Sequence, residues 1–250
     1  MEGLAYCKVA ISPVRASASD RAEIVTQLVF GEVLEIMGND QQWLHVRTYL
    51  DNYEGWIDGK QVRSLSQKEV SRWLDSNIIE SSLTRELETP WGKQIITRGA
   101  FVPLEQTGAF NIGRDQFNLV GEPSFVPESI AELASSYENT PYLWGGKTPF
   151  GIDCSGLMQS VHRRFGINLP RDASQQVAHG MDIPFGEQVA GDLVFFQNKE
   201  GRVHHVGLLL DEMTVIHASG WVRTDDFTDK GIVRRTDNEL SHHFYAIKRL

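Results

Sequence analysis

The sequence has few cysteines, no long apolar run and no excess of positive charge. Its two cysteines, Cys7 and Cys154, stand far apart among 250 residues, so there is no disulfide framework and a reducing compartment is compatible. No stretch approaches the roughly 20 apolar residues of a membrane span. The formal net charge of -9 offers no basic stripe for phosphates, so we expect neither nucleic acid nor membrane as a partner.

The first residues also lack the features of a secretory leader. MEGLAYCKVAISP has no basic start, and Lys8 interrupts its apolar run before it reaches signal-peptide length. We therefore expect a cytoplasmic protein, or a secreted one if a leader has been removed. The hydrophobic content of 41% is typical of a globular chain of one or two domains, and we expect a monomer without a cofactor.

Residues 1–65 read as short strands separated by turn residues. The strand-like segments are CKVAIS, EIVTQLVF, EVLEIMG, WLHVRT and GWIDGKQVR. Such regular spacing predicts a small all-β barrel. The runs QLVFGEVLEI, WLHVRT and YEGWI resemble a bacterial SH3-like domain, and that resemblance implies a binding module without chemistry of its own.

Residues 66–123 carry weaker patterns. SQKEVSRWLDSNIIESS places Val70, Trp73, Leu74 and Ile78 on one helical face, and the segment after it returns to strand-like pieces broken by glycine and proline. We interpret this region as a connector and a second, degenerate SH3-like region.

Residues 124–250 have a different pattern, in which helices precede strands. PESIAELASSYEN predicts a short helix, and a glycine-rich loop leads into a second helix that starts near Cys154. The strand-like runs GDLVFFQ, HHVGLLLDE, TVIHAS, GIVRRTD and FYAIKRL follow. A helix that carries a cysteine and packs on an antiparallel sheet is an α+β arrangement.

Cys154 follows the loop YLWGGKTPFGID and opens the periodic run of Leu157, Met158, Val161 and Phe165. This pattern places the thiol at a helix N-terminus, where backbone N–H groups stabilise a thiolate and lower a thiol pKa to roughly 3.5–7.5. The alternative is a small buried core cysteine without chemistry.

Two of the eight histidines are candidates for a shared site. His205 and His217 flank a hairpin turn near Asp211, and strand alternation lets either His205 or His204, but not both, face His217. The turn position favours His205. We assign the other histidines surface or satisfied polar roles: His45, His162 and His179, with His242 and His243 in a loop.

A helix-borne thiol, a histidine base and a second polar group that orients the base form a nucleophile triad. Cys154, His205 and His217 fit these roles. The backbone N–H of Cys154 and the hydroxyl of Tyr142 are candidate donors to an oxyanion. A zinc site built from the same three residues is the competing interpretation, although no closely spaced ligand pair supports it, and we expect no metal.

The motifs YLWGG, GIDCSGLMQ, LPRDASQQ, GDLVFF, HHVGLLL and VIHAS resemble, in this order, the NlpC-type family of papain-fold cell-wall cysteine peptidases. The resemblance covers about half the chain. It implies a papain-like fold with Cys154 as nucleophile, His205 as general base and then acid, and His217 as the third polar residue.

Within this family, the chain resembles the members that carry amino-terminal SH3-like barrels. Those members are peptidases that cut murein peptides between γ-D-glutamate and L-lysine or diaminopimelate. The resemblance implies an L-Ala-γ-D-Glu-diamino acid substrate with a free amino terminus, cleaved during cell-wall recycling, and a barrel that closes one end of the cleft. The matching substrate-binding positions are Glu23, Tyr53, Asp153, Ser155 and Ser174.

Three other functions compete with this hypothesis. One is a secreted hydrolase of intact peptidoglycan, the second is a murein-binding scaffold whose papain-like domain is inert, and the third is acyl transfer through the same thioester. Reactivity of Cys154 separates the scaffold from the enzymes, and competition between amines and water separates transfer from hydrolysis.

Overall fold

The computed structural model describes residues 3–250. The chain divides into two compact units, Met1–Val126 and Pro127–Leu250. In the described part of the chain, no helix has the length and apolar character needed to cross a membrane.

The first unit begins with a seven-stranded antiparallel sheet in the order β3-β2-β6-β5-β4-β1-β7. Its strands are β1 (Gly3–Cys7), β2 (Ile11–Arg15), β3 (Ile24–Val29), β4 (Val33–Asp40), β5 (Trp43–Thr48), β6 (Glu54–Asp58) and β7 (Val62–Leu65). A 3₁₀ turn at Gly59–Gln61 precedes β7. Alternate residues face inward, as strand geometry requires, so that Val14, Val46 and Ile57 meet Cys7 in one apolar core.

Residues 66–126 add a helix and six strands to this unit. They are α1 (Gln67–Leu74), β8 (Asn77–Ile79), β9 (Thr84–Thr89), β10 (Gly92–Thr97), β11 (Phe101–Pro103), β12 (Gly108–Ile112) and β13 (Asp115–Leu119). Four of them form the sheet β10-β9-β13-β12, and β8 pairs with β11. A capping box between Ser66 and Glu69 starts α1. The helix ends at Leu74, so Ile78 lies on a strand rather than on the predicted helical face.

The second unit places three helices against an antiparallel sheet. The helices are α2 (Ile130–Ser135), α3 (Cys154–Arg163) and α4 (Ala173–Gln176). The strands are β14 (Lys147–Thr148), β15 (Gly151–Ile152), β16 (Met181–Asp182), β17 (Leu193–Gln197), β18 (Val203–Leu209), β19 (Thr214–Ser219), β20 (Trp221–Thr228), β21 (Gly231–Val233) and β22 (Leu240–Arg249). The order is β16-β22-β17-β18-β19-β20-β21, and β22 also pairs with β21, which closes the strands β17–β22 into a ring.

Two parts of this sheet differ from the sequence interpretation. WVRTDDFT, which was not predicted as a strand, forms β20 and buries Val222, Asp225 and Phe227. Strand β22 begins at Leu240, so His242 and His243 lie in a strand and not in the predicted loop. In both places long-range pairing overrides the weak local signal of the charged or polar residues.

Candidate active site

Cys154 is the first residue of α3, as the sequence predicts. Asp153 is the N-cap, and its carboxylate accepts a hydrogen bond of 2.7 Å from the backbone N–H of Gly156. A Cβ on Gly156 would collide with the carbonyl oxygen of Gly146, so the helix and the glycine loop can approach this closely only because Gly156 lacks a side chain.

The thiol of Cys154 is buried, and its pKa differs from the expectation. Burial raises the pKa of Cys154 to about 12, with a further increase from the charge of Asp153, while hydrogen bonds from the backbone N–H groups of Val206 and Ser155 offset only part of it. The predicted lowering by the helix terminus is therefore wrong for the unliganded protein. A raised pKa favours the neutral thiol over the thiolate.

His205 and His217 form a direct hydrogen bond. Gly207 pairs with His217 across β18 and β19, so His205, two residues earlier, lies on the same face. The distance from His205 Nε2 to His217 Nδ1 is 2.8 Å, and the rings are nearly perpendicular at 84°. His204 is exposed, and the ring that bonds His217 is that of His205, as predicted.

Both imidazoles are buried and neutral. Burial holds the pKa of His205 well below its usual value, and nearby His242 and His217 lower it further. Burial also lowers the pKa of His217, although the carboxylate of Asp225 opposes the shift. A neutral His205 has the protonation state that a general base requires.

Asp225 extends this chain of hydrogen bonds, and the sequence interpretation missed it. Its Oδ2 atom lies 3.0 Å from His217 Nε2 and accepts a 2.8 Å bond from Arg223 Nε, while Oδ1 accepts from the backbone N–H of Arg235 at 3.0 Å. Burial raises the pKa of Asp225, but the bonds from His217 and Arg235 outweigh burial and hold the pKa at about 2. The alternating pattern of Arg223, Asp225 and Phe227 was the available signal.

His242 also belongs to the site, which corrects its assignment to a surface loop. Its ring stacks on that of His205 with centroids 4.1 Å apart and an angle of 24° between the planes. Burial lowers the pKa of His242 to about 3, and the neighbouring His217 and His204 add to the effect. The base is thus held by a hydrogen bond at its edge and by a ring contact on its face.

A cavity of about 510 Å³ opens in front of these residues. Six predicted site residues line it: Tyr142, Asp153, Cys154, Ser155, Ser174 and His205. Only His217, among the predicted catalytic residues, is set behind His205 and away from this lining. The cavity gives a substrate access to the thiol and the base together.

Comparisons with known proteins identify this arrangement. Residues 139–240 match the model of the NlpC/P60 family, and residues 14–62 match that of the bacterial dipeptidyl-peptidase Sh3 domain. Over 225 residues the chain is 31% identical to the gamma-D-glutamyl-L-lysine dipeptidyl-peptidase of Bacillus cereus (strain ATCC 10987 / NRS 248), covering 78% of this chain and 67% of the relative. The chain belongs to the NlpC/P60 family.

Other relatives agree with this family membership. The chain is 27% identical over 231 residues to the gamma-D-glutamyl-L-lysine dipeptidyl-peptidase of Bacillus subtilis (strain 168), covering 78% of this chain and 72% of that one. It is 41% identical over 129 residues to the probable endopeptidase NlpC of Escherichia coli (strain K12), covering 50% and 79%. This NlpC/P60 protein is therefore an enzyme of the peptidase class, as predicted.

A solved structure confirms the predicted fold class. An NlpC/P60 family protein from Bacillus cereus ATCC 10987 has a TM-score of 0.79 with this chain, at 18% identity over 99% of both chains. The predicted papain-like α+β domain, preceded by an all-β SH3-like region, is thereby confirmed.

The carboxylate predicted to bind the substrate amine, Asp153, is already paired in this NlpC/P60 protein. Both of its oxygens contact the buried guanidinium of Arg171, and the backbone N–H of Gly145 donates to Oδ2 at 2.8 Å. Arg171 also donates to the hydroxyl of Ser155 at 2.7 Å. Arg171, absent from the predicted site, therefore balances the charge that the sequence assigned to an ammonium ion.

Tyr142 and Ser174 offer hydroxyl groups at the cavity. Burial raises the pKa of Tyr142 to about 12, and the nearby Cys154 and Asp153 act in the same direction, so the phenol keeps its proton and can donate a hydrogen bond. Ser174 is exposed on α4, where Asp172 rather than Ser174 is the N-cap.

The two predicted barrel residues lie in the first unit. Glu23 is exposed immediately before β3, and its carbonyl oxygen accepts a bond of 2.9 Å from the Ala16 N–H. Tyr53 is half-buried between β5 and β6, where its backbone N–H donates to Thr48 Oγ1 at 2.8 Å. Their roles in substrate binding stay predictions.

Among the described residues, the nitrogens of His205, His217 and His242 lie within 4.8 Å of one another, and Cys154 is outside this group. Imidazole binds a metal through a lone pair in the ring plane. The planes of His205 and His242 are stacked at 24°, so their lone pairs cannot converge on one ion about 2 Å away without reorientation. This geometry suits a stacked base better than a metal centre.

Proposed function

We propose that this NlpC/P60 protein hydrolyses the bond between γ-D-glutamate and the following L-diamino acid of murein peptides that begin with a free L-alanine. The observation that carries the proposal is the placement of Cys154 and His205 in one cavity, with His217 bonded to His205 at 2.8 Å. The relatives named gamma-D-glutamyl-L-lysine dipeptidyl-peptidases support the choice of bond.

In the first step, the sulfur of Cys154 attacks the γ-carbonyl carbon while the thiol proton moves to His205. The raised pKa of Cys154 and the lowered pKa of His205 favour the neutral thiol and the neutral imidazole, so the sulfur must give its proton to His205 in order to attack. The carbon–nitrogen bond then breaks, and the proton on His205 passes to the departing amine. A thioester on Cys154 and the free amino group of the diamino acid result.

In the second step, water attacks the thioester and gives a proton to His205, which returns it to the sulfur as the thiol leaves. The dipeptide departs with a new carboxylate. In both steps an oxyanion forms on the γ-carbonyl oxygen, and the backbone N–H of Cys154 and the hydroxyl of Tyr142 are its proposed donors. His217 keeps the ring of His205 in position throughout.

The free alanine amine is the proposed basis of exopeptidase-like selectivity. Because Arg171 already neutralises Asp153, an ammonium ion needs another carboxylate, and Glu23 is the one that the family resemblance supplies. Such selectivity suits small peptides released from the wall, so we place the activity in cytoplasmic recycling. Product analysis with both peptides shows whether lysine or diaminopimelate is preferred.

Mass spectrometry of the products tests this function. The wild-type protein is incubated with L-Ala-γ-D-Glu-L-Lys, with its diaminopimelate counterpart, with the N-acetylated peptide and with an α-linked isomer. We expect L-Ala-D-Glu and the free diamino acid from the first two and no cleavage of the last two. Equal turnover of acetylated and free peptides contradicts amine recognition, and cleavage of none of the four contradicts the proposed reaction.

A further inference from the structure

Behind the proposed base lies a buried carboxylate that the three-residue mechanism leaves without a role. We propose that Asp225 is a positioning residue, whose carboxylate fixes the tautomer of His217 and thereby leaves Nδ1 of His205 free to take the thiol proton. This inference rests on the proposed function for its kinetic consequences. Its structural part concerns the unliganded protein alone.

Sheet register brings the carboxylate to the histidine. Arg223 pairs directly with His217 across β19 and β20, so Asp225, two residues further on, lies on the same face of the sheet. Asp225 is 1% exposed, and its Oδ2 is 3.0 Å from His217 Nε2. At that depth a carboxylate needs donors, and it has three: His217, Arg223 Nε and the Arg235 backbone N–H.

The carboxylate of Asp225 determines which nitrogens of His217 and His205 carry protons. An ionised carboxylate can only accept, so His217 must carry its proton on Nε2 and present an unprotonated Nδ1. That nitrogen faces His205 Nε2 at 2.8 Å and must receive a proton from it. A neutral His205 with its proton on Nε2 has a lone pair on Nδ1, and this nitrogen is therefore the base.

The backbone next to His205 contacts the nucleophile Cys154. The residue after His205 is Val206, whose backbone N–H bonds to the sulfur of Cys154. The thiol therefore lies against the peptide bond between His205 and Val206. Both Cys154 and His205 line the cavity. If His217 held its proton on Nδ1, His205 Nε2 would have to accept and its own proton would occupy Nδ1, where it would block transfer from sulfur.

Arg223 and the neighbouring strand hold the carboxylate in place. The guanidinium of Arg223 donates to Oδ2 at 2.8 Å and lies over the ring of Trp221 at 4.8 Å. The adjacent Asp226 points to the other face, where it is half-exposed and bonds Arg235 Nε at 2.6 Å. Asp225 and Asp226 thus provide a buried carboxylate and a matched exposed one at consecutive positions.

A purely structural role for Asp225 makes a different prediction. An ion pair that only stabilises the strand would change the free energy of unfolding and leave both the tautomer of His217 and the turnover of folded enzyme unchanged. In the described part of the chain, the charged and titratable groups that act on the pKa values of His205 and His217, besides the two rings themselves, are His204, Arg223, Asp225 and His242. Among them Asp225 alone is an acceptor bonded to His217.

The direct test is the ¹⁵N NMR spectrum of histidine-labelled full-length protein without substrate. We expect the ¹⁵N shifts to show His217 with its proton on Nε2 and His205 with its proton on Nε2. A wild-type spectrum with the His217 proton on Nδ1 overturns the inference. This measurement needs neither a variant nor turnover, so it decides the role of Asp225 even if the proposed peptidase reaction fails.

Kinetics with a cleaved murein peptide provide the second test. We expect Asp225→Asn to lower kcat by about 10²- to 10⁴-fold with KM nearly unchanged, since an amide can hold the other tautomer. Asp225→Glu should restore part of kcat, and Asp226→Asn should stay within about twofold of wild type. A folded Asp225→Asn protein with wild-type kcat and tautomer overturns the inference, as does an equal loss in Asp226→Asn.

Discussion

Each of the two units buries a carboxylate against an arginine, but the two ion pairs are hydrogen-bonded to different kinds of group. In the first unit Glu80 bonds Arg85 Nη1 at 2.9 Å and the Ser82 N–H at 2.7 Å. The remaining donors of Arg85 go to backbone carbonyls, including that of Gln106 at 3.0 Å. In this network the protein itself provides the hydrogen-bond partners of Glu80 and Arg85.

In the second unit the pair of Asp225 and Arg223 continues into titratable rings. His217 bonds the carboxylate, His205 bonds His217, and His205 opens on the cavity that Cys154 shares. Burial and ion pairing alone therefore do not distinguish a structural hydrogen-bond network from one that takes part in chemistry. The distinction is whether the chain of hydrogen bonds ends at an unfilled acceptor beside a reactive group.

The largest effect should come from breaking the chain in the second unit. His217→Ala removes the partner of His205, and we expect kcat/KM to fall by about 10³-fold because the base loses its orientation and tautomer. Steady-state kinetics with the murein peptide measure it. The matched control is His162→Ala, which removes another fully buried histidine of the same unit, bonded to the Met158 carbonyl at 2.8 Å.

His162→Ala should cost stability and keep most of kcat. Wild-type kinetics in a folded His217→Ala protein would remove this residue from the mechanism. Equal losses in the two variants would show that any buried histidine of this unit supports activity through stability alone.

Acid should affect the second unit through its buried histidines. The pKa values of His162, His205, His217 and His242 are lowered chiefly by burial, so these rings stay neutral in the folded protein and become protonated in the unfolded chain below about pH 6.5. The unfolded state then binds more protons, and stability falls as pH falls. We expect a loss on the order of 3 kcal/mol between pH 6.5 and 5.5.

Hydrogen exchange of peptides from each unit, followed by mass spectrometry over this pH window, measures the loss. Faster exchange at low pH should appear in peptides that contain the four histidines. Constant protection of those peptides down to pH 5 would contradict the neutral, buried state of the rings.

A smaller effect should follow from breaking the hydrogen bonds between Glu80 and Arg85 in the first unit. Glu80→Gln removes the charge that faces the buried guanidinium of Arg85, and we expect a stability loss of about 2 kcal/mol with kcat unchanged. Chemical denaturation and steady-state kinetics on the same preparation measure both quantities. A fall in kcat of folded Glu80→Gln protein would contradict a purely structural role for the network of Glu80 and Arg85.

The smallest effect should come from the ring stacked on the base. His242→Phe keeps an aromatic face against His205, whereas His242→Ala removes it, and we expect kcat to fall less than about twofold in the first and up to about tenfold in the second. Parallel kinetic assays measure the two ratios. Equal losses would show that the nitrogens of His242, rather than its ring, matter for turnover.

Local sequence signals predicted part of this site. The glycine loop and the periodic residues after it located the start of α3 at Cys154, and strand alternation around a short turn paired His205 with His217. These predictions succeed because helix and hairpin geometry fix neighbours within a few residues.

The rest depended on contacts that are distant in sequence. Asp225 enters the site only through the pairing of β20 with β19, and His242 only through the pairing of β22 with β17 and β21. The polar residues around both positions gave no clear strand pattern in the sequence. The direction of the Cys154 pKa shift was wrong because burial of the sulfur, a tertiary property, outweighs the helix terminus. Arg171 was missed because its partner, Asp153, is 18 residues away.

Turnover of L-Ala-γ-D-Glu-L-Lys by Cys154→Ala, compared with wild type, shows whether the sulfur of Cys154 is the nucleophile. Hydrogen exchange should first show that the variant keeps wild-type protection in peptides containing His205 and His217, so that only the sulfur is lost. We expect product to fall to the level of the enzyme-free control, at least about 10⁴-fold below wild type. Cleavage by the folded variant at a rate comparable to wild type would contradict it.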